Sequence, residues 1–297
     1  MSRSLVINAD DLGLTVGVNN GIFDAHDRGV LTSASLFANA PATADAIGRI
    51  RFRASLGVGC HLTLVDGQPT LPPRRVPSLV EDDGRFPRSW KPFIVACLTG
   101  RVSLDEVEQE LTAQIDRVRS DGIALTHLDA HKHVHAFPPI FAIVAKLAAR
   151  FGIPVVRVPF ERWSSVRGDA DRRLMTWRQA LLNYITRPWA ERDYRMAAAR
   201  DLRAPRFIGR IHTGGLSATI LAGLVRSLPL GVTELMVHPG YVDEALSRTG
   251  TRLLASRTAE VRLLCDPEIS GYLSDVDIHL VRHDLAASPK RSLRHAS

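Results

Sequence analysis

At 297 residues, with 45% hydrophobic and 23% charged residues, the chain has the size and composition of a large globular domain, which excludes a disordered protein. Its formal net charge of +7 rests on arginine, because lysine occurs only at positions 91, 132, 146 and 290. No helix-turn-helix, zinc-finger or aromatic RNA-binding signature accompanies that charge, so no nucleic-acid partner is expected. The odd set Cys60, Cys97 and Cys265 argues against a disulfide framework. No stretch approaches the ~20 apolar residues of a membrane span, and a cytoplasmic protein is expected.

In chain order the sequence alternates strand and helix. Apolar runs predict strands over residues 4–9, 32–38, 57–64, 125–131, 155–160, 233–238 and 276–283. Apolar residues at three- and four-residue spacing predict helices over 16–28, 42–53, 104–120, 138–151, 217–228 and 252–264. Ser103 followed by Glu106 has the form of a capping box, and Gly122 marks the end of that helix. Such alternation calls for parallel strands joined by crossover helices, in a doubly wound sheet or a β/α barrel.

The expected fold is α/β, a TIM-like β/α barrel with some distortion, in one domain over residues 1–285. Residues 67–91 read as an irregular loop. Residues 161–205 read as a helical insertion, with Leu174, Trp177, Leu181, Tyr184 and Ile185 on one apolar face. That face either packs on the outside of the domain or acts as a lid for an apolar part of a substrate. Residues 286–297 read as a disordered polar tail.

Four segments carry chemistry. The first strand runs into Asp10 and Asp11; aspartates are poor strand residues, and β/α folds place their sites at the C-terminal ends of strands. In the 57–64 strand Gly59, His61 and Thr63 share one face, and the small residues leave room beside the imidazole, while Cys60 on the other face is a packing residue. Residues 126–135 hold His127, His131, His133 and His135, with the strand expected to end near His131 because Pro138 and Pro139 open the next helix. The 233–238 strand ends in His238-Pro239-Gly240-Tyr241, which makes His238 a candidate general acid or, alternatively, a turn histidine.

A barrel would bring these strand ends to one rim. Asp11, His61 and His131 then form an open ligand set for one divalent cation, with the imidazoles favouring Zn2+ and an open carboxylate site also suiting Mg2+. Asp10, beside a ligand and not needed as one, is the candidate base. Asp129 or His127 is the candidate partner for the second ring nitrogen of a ligating histidine. Competing readings are a phosphoesterase or glycosidase on the same barrel, and a non-catalytic sugar- or nucleic-acid-binding protein.

The segments NADDLG, GVGCHLTL with GQPTLPP, THLDAHKHVH with FPPIF, VVRVPFE and MVHPGY closely resemble the YdjC/ChbG-like carbohydrate deacetylases. The resemblance implies a β/α-barrel, metal-dependent hydrolase that removes the N-acetyl group from an N-acetylated amino sugar, in an oligosaccharide or a glycolipid. It implies Asp11, His61 and His131 as metal ligands and Asp10 as the base. Leu12 and Ala130 stand where the family has phenylalanine and serine. Lys132, in the run His131-Lys132-His133, resembles the hopanoid-associated HpnK-like branch. A lipid-linked sugar substrate, peripheral membrane contact and a homodimer therefore stay open.

Overall fold

The computed structural model describes residues 2–161, 181 and 184–285. Among these residues seven parallel strands form one sheet: β1 (Arg3–Leu12), β2 (Ser33–Leu36), β3 (Gly57–Leu62), β4 (Leu125–Ala130), β5 (Arg206–Ile208), β6 (Gly231–Val237) and β7 (Ile278–Leu280). Their order is β4-β3-β2-β1-β6-β5. β7 pairs with the first residues of β1, at Arg3 to Leu5, while β2 joins β1 only from Asn8 onward. Two isolated parallel bridges, Leu128 with Val156 and Val155 with Arg203, lead from β4 back toward β5. The sheet therefore curls into the α/β barrel that the sequence predicts, with irregular closure on one side.

The irregular side has a sequence cause. The expected strand over 155–160 survives only as the bridges at Val155 and Val156, because Pro154 and Pro159 bracket it and neither offers an N–H to a ladder. β5 begins directly after the stretch read as an insertion, and three residues are too few for a periodicity to register. Helices Glu244–Arg248 and Pro267–Asp275 were likewise not expected, and the helix Trp90–Leu98 begins inside the stretch read as a loop. Of the insertion, the helix Arg187–Ala198 is described. Leu174 and Trp177 lie outside the described residues, as does the tail over 286–297.

Helices α1 (Val16–Asp27), α2 (Thr43–Ile50), α3 (Trp90–Leu98), α4 (Leu104–Ser120) and α5 (Pro138–Phe151) follow in order. Ser103 caps α4 by accepting from the Glu106 N–H at 3.3 Å. The Glu106 carboxylate does not close the expected capping box; it accepts from the backbone and hydroxyl of Ser78, each at 2.8 Å. The buried Gln114 of α4 brackets Thr63, accepting from its N–H and donating to its carbonyl. Glu110 accepts from the N–H groups of Thr70 and Leu71. Together these bonds fasten the loop after β3 to α4, where polar backbone would otherwise be left unpaired.

Strand alternation sorts the barrel's two faces. Leu5, Ile7, Ala9, Leu36, Val58, Cys60 and Leu128 join the apolar core beneath the helices, with Cys60 packing as expected. Asn8, Asp10, Ser35, His61, His127, Asp129 and Glu234 are buried polar residues. Among the described residues no helix is long and apolar enough to cross a membrane.

Gly59 serves the polar interior through its lack of a side chain. A Cβ there would lie 2.4 Å from His127 Nε2, so the room beside His61 is filled by the His127 ring. Gly59→Ala is expected to cost about 1–3 kcal/mol by overpacking. Urea denaturation should show a lower midpoint with an unchanged slope.

Candidate active site

A single extra residue in β1 aims both aspartates at one place. Ala9 pairs with Ala34, yet Leu12 pairs with Leu36, so β1 carries a bulge between them. Asp11 absorbs it with φ at 71°, a left-handed conformation that aspartate tolerates better than most residues. In a regular strand neighbouring side chains face opposite sides. Here both Asp10 and Asp11 reach the surroundings of His61.

One ligand atom from each of Asp11, His61 and His131 falls within 4.8 Å of the other two. Asp11 Oδ1 lies 3.6 Å from His61 Nε2 and 3.3 Å from His131 Nδ1. His131 is brought there by a sharp turn after β4, in which Lys132 and His133 both have positive φ, at 51° and 54°. That turn ends the period-two face, so His133 and His135 do not follow His131. His135 instead contacts the Arg157 carbonyl at 3.0 Å. Phe37 packs edge-on against His61 and His131, with centroids at 4.8 and 5.2 Å, and walls one side of the site.

Of the two candidate orienting residues, the structure selects Asp129. Its Oδ1 lies 2.8 Å from His61 Nδ1, leaving Nε2 turned to Asp11. His127 instead contacts Ser35 Oγ at 3.0 Å and Thr126 Oγ1 at 2.9 Å.

Behind these residues sits Arg157, which the sequence reading did not single out. It is 1% exposed and holds three carboxylates. Nη1 and Nη2 donate to the two oxygens of Asp10 at 2.8 and 2.7 Å, Nε donates to Glu234 at 2.8 Å, and Nη2 reaches Asp129 at 2.8 Å. Burial raises the Asp10 carboxyl above its ordinary range, Arg157 opposes that shift, and Asp129 adds to it. For Asp129 burial also acts upward, but Arg157 and His61 prevail and hold it well below the usual range.

Arg257, also missed, pairs with Asp11 through Oδ2. Four buried carboxylates, Asp10, Asp11, Asp129 and Glu234, thus face two guanidiniums. The remaining negative charge, gathered around a carboxylate and two imidazoles, suits a divalent cation. His131 responds to the same field: burial lowers it, but Asp11 and Asp66 outweigh burial and raise it.

His238 follows directly on β6. Its backbone N–H donates to the buried Glu260 at 2.5 Å, and its side chain feels the charges of Asp11 and Arg257. Burial pushes the imidazole down to about 3, so it is neutral at pH 7. Burial pushes Glu260 up to about 7.

A model of the YdjC-like protein family matches residues 4–275. A carbohydrate deacetylase of Brevibacillus brevis is 35% identical over 277 residues, covering 93% of this chain and 97% of that protein. One from Geobacillus stearothermophilus is 32% identical over 284 residues, covering 95% and 98%. A crystal structure of an Enterococcus faecalis V583 protein, provisionally described as a cellobiose-phosphate cleavage protein, superposes with a TM-score of 0.77 at 26% identity. That alignment covers 97% of this chain and 100% of that one.

Arg157→Met strips three buried carboxylates of their counter-ion and is expected to cost about 3–5 kcal/mol in chemical denaturation. Glu260 is raised from 4.5 to about 7, so the stability its protonated form contributes is complete below about 4.5 and is lost as pH rises to about 7. Thermal melts of Glu260→Gln and wild type should therefore diverge in the variant's favour across that window and run parallel on either side.

Proposed function

Because the chain belongs to the YdjC-like family, we propose that it hydrolyses the N-acetyl group of an amino sugar with a bound divalent cation, releasing acetate and the free amine. The observation that carries this reading is the convergence of Asp11, His61 and His131 within 4.8 Å, beside the separate buried carboxylate of Asp10. Relatives named carbohydrate deacetylases, matched over nearly their whole length, support the substrate class. Zn2+ and Mg2+ both suit the donor set.

Asp11, His61 and His131 would hold the cation, which when bound would polarise the acetamide carbonyl and acidify a water. Asp10 accepts the proton of the attacking water, with Arg157 fixing the direction of its carboxylate. Oxygen joins the acetyl carbon, the C–N bond breaks, and the sugar nitrogen takes a proton. His238, neutral at the outset, is the proposed relay that passes to the sugar nitrogen the proton Asp10 took from the water, which returns Asp10 to its ionised form. Asp129 holds the His61 ring in the orientation that presents Nε2.

The same reading takes residues 1–285 as one barrel domain in the cytoplasm, where three free cysteines fit a reducing compartment. The exposed Leu181, Tyr184 and Ile185 favour a lipid-linked acetylated sugar as the finer substrate.

The test is acetate release from N-acetylglucosamine oligomers and from a lipid-linked N-acetylglucosamine, with and without chelator. Chelator-sensitive acetate is expected. Reducing ends without acetate would turn the assignment toward a glycosidase. Asp10→Asn should keep its metal content and lose about 10²–10⁴-fold in turnover, whereas His61→Ala should lose the metal itself by elemental analysis.

A further inference from the structure

The two oxygens of Asp11 have separate surroundings. Oδ1 faces His61 Nε2 and His131 Nδ1, at 3.6 and 3.3 Å. Oδ2 accepts from Arg257 Nη2 at 2.5 Å. Arg257 comes from the helix Ala255–Leu264, almost the whole chain away from Asp11, and is 1% exposed.

The stem of Arg257 is held firmly. Its Nε donates to the Leu253 carbonyl at 3.1 Å, and its own carbonyl accepts from the Gly240 N–H at 3.3 Å. A Cβ on Gly240 would lie 3.3 Å from Arg257 Cδ, so the loop after His238 closes directly on the stem. Yet Nη1 is buried without a hydrogen-bond partner. A guanidinium whose only task was to tie a helix to the barrel would have its donors satisfied, since a buried unpaired donor costs about 1–3 kcal/mol. The group is buried at that cost with one carboxylate as its ion-pair partner among the described residues.

A carboxylate can bind a cation through one oxygen or through two. With Oδ2 engaged in a charge-assisted hydrogen bond, Asp11 has only Oδ1 to offer. One oxygen and two imidazole nitrogens leave positions for water and for a substrate oxygen; a chelating Asp11 would take one of them.

We infer that Arg257 is a positioning residue that restricts Asp11 to one-oxygen ligation and so keeps a coordination position open for substrate. This rests on the metal site proposed above. The role belongs to the charge and fork of the guanidinium, and packing alone would not supply it.

Co2+ is the probe, because its visible absorption reports how many ligands surround it. Metal-free full-length protein is titrated with Co2+ by calorimetry, and the visible band is recorded for wild type, Arg257→Met and Asp11→Asn. Arg257→Met keeps the buried stem and removes the charge. It is expected to melt below wild type, because buried Asp11 loses its counter-ion, and to show a weaker Co2+ band per ion as Oδ2 joins the coordination. Arg257→Lys should recover part of the wild-type band by restoring a donor.

Wild-type affinity and band in a folded Arg257→Met overturn the inference. Weaker binding with an unchanged band overturns the one-oxygen role as well. Should Arg257→Met fail to fold, Arg257→Gln carries the same two outcomes. If wild type takes up no Co2+, or Asp11→Asn binds it equally well, the metal-site reading itself fails, and the inference with it.

Discussion

The interior of this barrel depends on one buried guanidinium. Arg157 donates to both oxygens of Asp10 and also reaches Asp129 and Glu234, with no exposed face of its own. Three carboxylates packed this closely repel one another strongly in a low-dielectric interior, and each would otherwise take up a proton. A planar cation with five donors in a fixed fork can satisfy them from one position, as a flexible ammonium could not. Asp129 is consequently kept ionised, and an ionised Asp129 is what fixes the His61 ring. The orientation of a candidate metal ligand thus traces back through one carboxylate to one arginine.

Two backbone irregularities do the remaining placement. The bulge in β1 lets adjacent aspartates serve one site, and the left-handed turn at Lys132 and His133 ends β4 so that His131 folds over it. The bulge interrupts the β1–β2 ladder between Ala9 and Leu12, and the turn follows the end of β4, so at both places ladder hydrogen bonds do not dictate direction. Upstream of the bulge, Arg3 to Ala9 of β1 pair in unbroken register with β6, so the strain in β1 lies where it redirects a side chain.

The charges are divided by duty. Asp10 is gripped by Arg157 and Asp11 by Arg257, so two neighbouring residues of identical chemistry acquire different environments. Burial raises Asp10, while Asp11, whose own burial also acts upward, is brought well below its ordinary value by Arg257 and His131. Divergent environments for paired carboxylates fit the division between a proposed base and a proposed ligand. The polar lining that makes this workable is small: Ser35 accepts from Asn8 and donates to Asp129, and Gly59 gives way to the His127 ring.

Much was legible in the chain alone. The strand and helix rhythm, the α/β barrel, and Asp10, Asp11, His61, His131 and His238 at strand ends all follow from periodicity and from side chains out of place in apolar runs. Arg157 and Glu234 carried the same signal, a charge inside an apolar strand, and could have been singled out by it. Arg257 carried none, being one arginine among many on a helix. Sequence could not decide which oxygen of Asp11 faces the histidines, that Asp129 rather than His127 holds His61, or that the bulge aims both aspartates inward. Periodicity records which face a residue prefers, because burial is a property of each side chain. Pairing between segments hundreds of residues apart depends on register and backbone twist, and only the folded chain sets those.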